Sequence, residues 1–250
     1  MNVSRTSNYS IPSLSWRVRC GYLLILLLFS LPSLSQTCTP TASYILADGE
    51  ESTDASDGQS APVVGHFEAN PSNVGDYSER YEWLIYEPGK EKEPIVHRFG
   101  ETLDYTFAQS GTFLIQLYAT FIQGTDTIGY PEEGAASPFT VSIAESELVM
   151  PNAFSPNKEP DGWNDEYKVK THKSIVEFHA VIFNRWGQRL YSWDDVNGKW
   201  DGRVNGRIVP DGVYFVNVVA RGADGRKYHI RKDINVITGY KKNGEGGGTN

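Results

Sequence analysis

From Phe113 to Phe121 the chain alternates strictly, with Phe113, Ile115, Leu117, Ala119 and Phe121 on one side and Leu114, Gln116, Tyr118 and Thr120 between them. A period of two held over nine residues predicts a strand with one buried face. A face of that kind needs a second layer, and the neighbouring chain offers more strands rather than amphipathic helices. Tyr81, Trp83 and Ile85 share a face; a charged turn at Pro88-Gly89-Lys90 and a second strand over 95–99 follow. Residues 103–122 read as the clearest hairpin of this half, and 137–143 closes the unit. Residues 48–60 are small, polar and acidic, which predicts a long loop or a disordered insertion. The expectation for 36–148 is an acidic β-sandwich.

A second set of strands begins beyond residue 149. Val176, Phe178, Ala180 and Ile182 share one face, and the pattern resumes at Leu190. Asn184-Arg185-Trp186-Gly187 lies between them, with the glycine placed to supply a positive φ at a hairpin tip. The spacing predicts that the Trp186 indole folds over the open end of the sandwich as a plug for its core. The competing reading leaves Arg185 and Trp186 exposed as a contact surface. In 212–222, Tyr214, Val216, Val218 and Ala220 make the better core face, because Asn217 interrupts the row of Val213, Phe215 and Val219. Trp200-Asp201-Gly202 and Pro210-Asp211-Gly212 read as turns that feed strands.

The chain opens differently. Arg5, Arg17 and Arg19 precede an apolar run over 20–34, too short to span a bilayer and suited to a secretory signal cleaved after Ser35. Export follows, and removal of this segment leaves no helical transmembrane anchor. It also removes Cys20, so Cys38 stands alone and is expected to be an incidental thiol near a mobile terminus, with an intermolecular bridge as the alternative. Charge divides unevenly along the remainder. Residues 36–148 hold 4 basic and 19 acidic side chains, whereas 149–250 hold 16 basic and 12 acidic. Neither part has the dense Lys/Arg stripe that phosphate backbones demand, which argues against a nucleic-acid partner.

Two resemblances attach to these halves. Tyr81-Glu82-Trp83 and the stretch from Tyr105 to Phe113 make 36–148 similar to PKD-like immunoglobulin domains of bacterial surface proteins. In the second half the motifs are the stretch from Pro151 to Asn157, Asp161-Gly162 with Asn164-Asp165, Phe183 to Gly187, Trp200-Asp201-Gly202, and Pro210 to Tyr214. In this order and spacing they resemble the gliding-motility-associated C-terminal domain, the type B sorting signal of the type IX secretion system. The resemblance implies an all-β chain of two immunoglobulin-like β-sandwich domains after a cleaved signal peptide. Its divisions are 1–35 for the signal peptide, 36–148 for the PKD-like sandwich, 149–238 for the sorting domain and 239–250 for a flexible glycine-rich tail. It further implies delivery through the periplasm to the cell surface or the medium. The implied partners are the type IX translocon or attachment proteins, with a secretion-system signalling partner as an alternative. Asn152, Phe154, Pro156, Asn157, Arg185, Trp186, Gly187, Trp200, Asp201 and Gly202 are the recognition residues that it suggests. Of these, Trp200 is expected to act through the fold.

No cofactor is expected. Asp161, Asn164 and Asp165 occupy a turn that can hold calcium through carboxylate and carbonyl oxygens, but without the denser acid spacing of an EF-hand loop an Asx-turn network is the better explanation. His66, His97, His172, His179 and His229 are scattered, no two at metal-ligand spacing, and no nucleophile elbow or phosphate-binding loop appears. The chain therefore reads as a non-enzyme: secreted cargo carrying a small binding or structural module, or a retained component of the secretion apparatus. A hydrolase or carbohydrate-binding protein is the remaining alternative, and Tyr77, Tyr81, Tyr86 and Tyr130 are the aromatics such a sugar site would need.

Overall fold

The computed structural model describes residues 35–132, 135, 137–157 and 164–238. Residues 1–34 of the expected signal peptide, Asp161 of the suggested calcium set, and the expected tail over 239–250 lie outside them. The described residues form strands and no helix.

Besides the two-residue pair Thr37–Cys38 and Pro71–Ser72, the strands up to residue 143 are β1 (Thr41–Ile45), β2 (Glu51–Ser52), β3 (Ala55–Gln59), β4 (Val63–Glu68), β5 (Ser78–Tyr86), β6 (Val96–Phe99), β7 (Thr102–Phe107), β8 (Gly111–Gln123), β9 (Asp126–Tyr130) and β10 (Phe139–Ile143). One sheet runs β2-β1-β4-β7, and the other runs β3-β10-β8-β5-β6 with β9 also on β8. The alternating residues of β8 and β5 point into the space between the sheets, where Phe67, Trp83, Phe107, Ile115 and Phe121 are all buried. The Trp83 indole donates to the Gly100 carbonyl at 3.2 Å, so the largest core ring leaves no polar atom unpaired.

Seven of the strands that follow are β11 (Glu147–Val149), β12 (Ala153–Phe154), β13 (Thr171–Lys173), β14 (Ile175–Phe183), β15 (Arg189–Trp193), β16 (Gly212–Gly222) and β17 (Lys227–Val236). Their main sheet is β12-β17-β16-β14-β15. The β11–β13 pair and the bridge of Tyr167–Lys168 with Lys199–Trp200 bring Leu148, Tyr167 and Trp200 against it. Tyr214, Val216, Val218 and Ala220 are the buried face of β16, as their alternation implies, and Val213, Phe215 and Val219 face outward.

Four expectations need correction. Residues 103–122 are not a hairpin: β7 pairs with β4 and β8 pairs with β5, so the chain crosses from one sheet to the other. Phe107 and Phe113 meet across the gap at 5.3 Å between ring centres. Residues 48–60 are not an open loop, because β3 lies parallel to β10 and Ala55 is wholly buried between acidic neighbours that face water. Tyr81 and Tyr86 are buried, so they offer nothing to a sugar, while Tyr77 donates to Asp126 at 2.6 Å. Cys38 is no surface thiol: Thr37–Cys38 pairs with Pro71–Ser72, and the sulfur joins the first core with the residue 5% exposed.

Burial, reinforced by the charges of Glu79 and Glu101, pushes the Cys38 thiol up to about 11. The thiolate is the reactive form, so Cys38 in the native protein at pH 8 should be inert to a thiol reagent such as Ellman's. Its thiol should react only on unfolding. Rapid titration of the native chain would contradict this placement.

Candidate functional site

Asn184 builds the β14–β15 hairpin tip. Its side-chain carbonyl accepts from the Trp186 and Gln188 amides, each at 3.0 Å, and its amide donates to Gln188 Oε1 at 3.1 Å. The Gly187 amide closes the turn on the Asn184 carbonyl at 3.0 Å, and Gly187 takes a φ of +79°. Held this way, the turn throws its middle residues outward. Trp186 is 78% exposed, so it is not the core plug that its size suggests. Trp200 and Tyr214 already fill the core beneath that end with their rings 6.2 Å apart, and the exposed Tyr191 ring lies 6.4 Å from that of Trp200. The Arg185 guanidinium instead lies over the Trp186 ring at 5.0 Å, a cation–π pair standing in water.

Sequence patterning did not reveal what lies beside the tip. Phe183, Phe215, Asn217 and Arg231 join Arg185 and Gly187 in lining a groove of about 580 Å³ on the outer face of the sheet. Phe215 is opposite Phe183 and Asn217 is opposite Arg231, so the register sets apolar and polar rows side by side. The available signal was the apolar character of both faces of β16, which one buried side does not require.

The remaining suggested recognition residues gather elsewhere. Asn152, Asn157, Asn164, Asp165 and Asp201 line a cleft of about 1040 Å³ together with Arg203 and Lys232. Asn157 donates to Asp165 at 2.9 Å, and the Arg203 amide is held by Asp201 at 2.9 Å. Lys232 donates to the Met150 carbonyl at 2.8 Å. Asp165 and Asn164 are thus already engaged in local bonding, the latter through its carbonyl to the Ser155 amide at 2.7 Å. Asp161, the third oxygen donor suggested for calcium, lies outside the described residues. Among the described residues no group of three His, Cys, Asp or Glu side chains could hold a metal ion.

Phe154, Pro156, Trp200 and Gly202 are buried and do not line that cleft. Trp200 is wholly enclosed; its ring lies 5.4 Å from that of Phe154, and its indole donates to the Arg203 carbonyl at 3.1 Å. Of the motif residues, then, Asn152, Arg185, Trp186, Gly187 and Asp201 can be touched directly. Trp200 can act only by holding the sandwich together.

Residues 148–232 match the CHU_C Type IX secretion signal domain. The match spans the second sandwich from β11 into β17 and implies an export signal read by that secretion system. The exposed tip and the buried tryptophan both lie inside this signal domain. Among solved structures, the crystal structure of dimeric latent PorU from Porphyromonas gingivalis is similar at 12% identity, covering 81% of this chain and 20% of that one, with a TM-score of 0.25. The chain thus spans about a fifth of that protein's length. No curated protein matches the chain.

Replacing the two tryptophans of the signal domain should separate these roles. Trp200→Ala should cost about 3–5 kcal/mol of stability through the cavity that it leaves. Trp186→Ala should stay within about 0.5 kcal/mol of the parent, as for other exposed positions. Chemical denaturation followed by far-UV circular dichroism measures both, and equal losses would contradict the assignment.

Proposed function

We propose that this chain is a non-catalytic exported protein. Its C-terminal sandwich, 149–238, is engaged by the type IX secretion system, and its acidic sandwich, 36–148, is the module delivered to the outer face of the cell or beyond. The leader over 1–35 takes it into the periplasm first and is removed there. The observation that carries this reading is the match of 148–232 to a secretion signal domain.

The hairpin tip is the part of that domain best suited to direct recognition. An indole held in water contributes little to folding, and aromatic and arginine side chains are the residue types that anchor interfaces. Arg185 and Trp186 are presented together on a rigid two-strand support, so little side-chain freedom is lost when a partner closes over them. The cleft around Asn157 and Asp201 serves the fold in this reading, and no cofactor takes part.

Arg185→Glu combined with Trp186→Ala should lower the amount of protein delivered to the cell surface several-fold while leaving the melting temperature and far-UV spectrum of the purified chain unchanged. Surface labelling and fractionation read the first quantity. Undiminished delivery of the folded double variant would remove the tip from the recognition mechanism.

A further inference from the structure

The connection between the two sandwiches has no slack. Only Ala144, Glu145 and Ser146 separate the end of β10 from the start of β11. The Ala144 amide donates to the Gln59 carbonyl at 2.9 Å, and its carbonyl accepts from Ser110 Oγ at 2.7 Å. The Ser146 amide donates to Asp224 Oδ2 at 3.1 Å, and its carbonyl accepts from the Tyr228 hydroxyl at 2.9 Å. Ser146 Oγ also donates to Asp224 Oδ1 at 2.7 Å. Alternate residues of the connector therefore have both backbone groups committed, one to the first sandwich and the next to the second.

A second seam runs beside it. Ser174, wholly buried, donates its amide to Ser60 Oγ at 2.8 Å, and its own Oγ accepts from the Ala61 amide at 3.2 Å. Its carbonyl accepts from the Ala223 amide at 2.9 Å, while the Ala223 carbonyl accepts from the Ser110 amide at 3.1 Å. Ala223 and Val176, both from the signal domain's strands and turns, pack against the core of the first sandwich. Gly222 makes room for this approach: a Cβ there would sit 2.1 Å from Ser146 Oγ. Burial would push the Asp224 carboxyl up, but the bonds from Ser146 and the Arg226 amide, with the Arg226 charge, hold it low. Its charged form is thus the one the joint favours.

We propose that this joint is a clamp: it fuses the acidic sandwich and the signal domain into one rigid body and withholds the connector over 144–148 from proteases, so the exported chain keeps its signal domain. A protease takes an extended, unpaired backbone into its cleft, and local opening is needed to supply one. Ordinary interdomain linkers are exposed and cross few contacts. Here opening would break both seams together. The retention of the signal domain after export rests on the proposed export by the type IX system; the clamp itself does not.

Glu145 and Glu147 are exposed on either side of Ser146, which places two target bonds of a glutamyl endopeptidase inside the clamp. Digestion of the native full-length chain, followed by intact mass, should show cutting after Glu91, in an exposed turn, well before any product ending at Glu145 or Glu147. Asp224→Ala should speed cleavage at those two bonds about tenfold or more, with both fragments keeping their β-sheet spectra. Ser146→Ala, a smaller change that keeps the chain folded, should move in the same direction. Wild-type cleavage at the connector as fast as at Glu91 would overturn the clamp, as would unchanged cleavage in both variants. In cells, an exported product whose mass runs past residue 238 supports retention. An exported product ending near residue 148 overturns retention and leaves the export reading standing. A chain that never leaves the periplasm, yet resists the protease in vitro, overturns the export reading and leaves the clamp intact.

Discussion

The second sandwich depends on the burial of Trp200. It sits in a two-residue bridge against Tyr167, its ring lies within 6.4 Å of Phe154, Tyr191 and Tyr214, and its one polar atom is paired to the Arg203 carbonyl. A flat sheet of five strands cannot bury one of its faces by itself, and the short strands opposite supply little area. A single indole joining four elements compensates for that shortage. Because this core is already filled by Trp200 and Tyr214, the hairpin tip above it has no interior to enter, and Trp186 is left outside.

The outward turn of Trp186 gives the signal domain two surfaces of different character. The inner one is aromatic and sealed. The outer one mixes Phe183, Phe215, Arg185 and Arg231 around a groove, on a half of the chain that carries a net positive charge beside a strongly acidic first half. The clamp fixes where that outer surface points relative to the passenger. A signal on a loose tether could be engaged in any orientation, whereas a signal fused through Ser146, Ser174 and Asp224 presents its tip in one.

Much of this was legible in the amino-acid order. The alternation from Phe113 to Phe121 named the buried face of β8 residue by residue, and the motifs from Pro151 to Tyr214 located the signal domain. Periodicity reports which face a residue occupies and is silent about which strand is its neighbour. Hence β7 and β8 looked like a hairpin although they belong to opposite sheets. The acidic stretch over 48–60 hid β3 for a related reason. Its pairing partner β10 lies some eighty positions away, and one small buried residue, Ala55, is all that marks the inner side. Size alone misplaced Trp186, since the Asn184 side chain, and not the indole, decides which way the turn faces. The clamp had no signature at all: Ser60, Ser110, Ser146 and Ser174 are ordinary surface residues until the fold brings them together.

The most direct measurement is fractionation of producing cells with and without a working type IX system, with the intact mass of the chain determined in each fraction. Export through that system predicts the protein at the cell surface or in the medium when the system works, and its accumulation in the periplasm when the system is disabled. The same distribution in both kinds of cell would contradict the central claim that the second sandwich is an export signal for this chain.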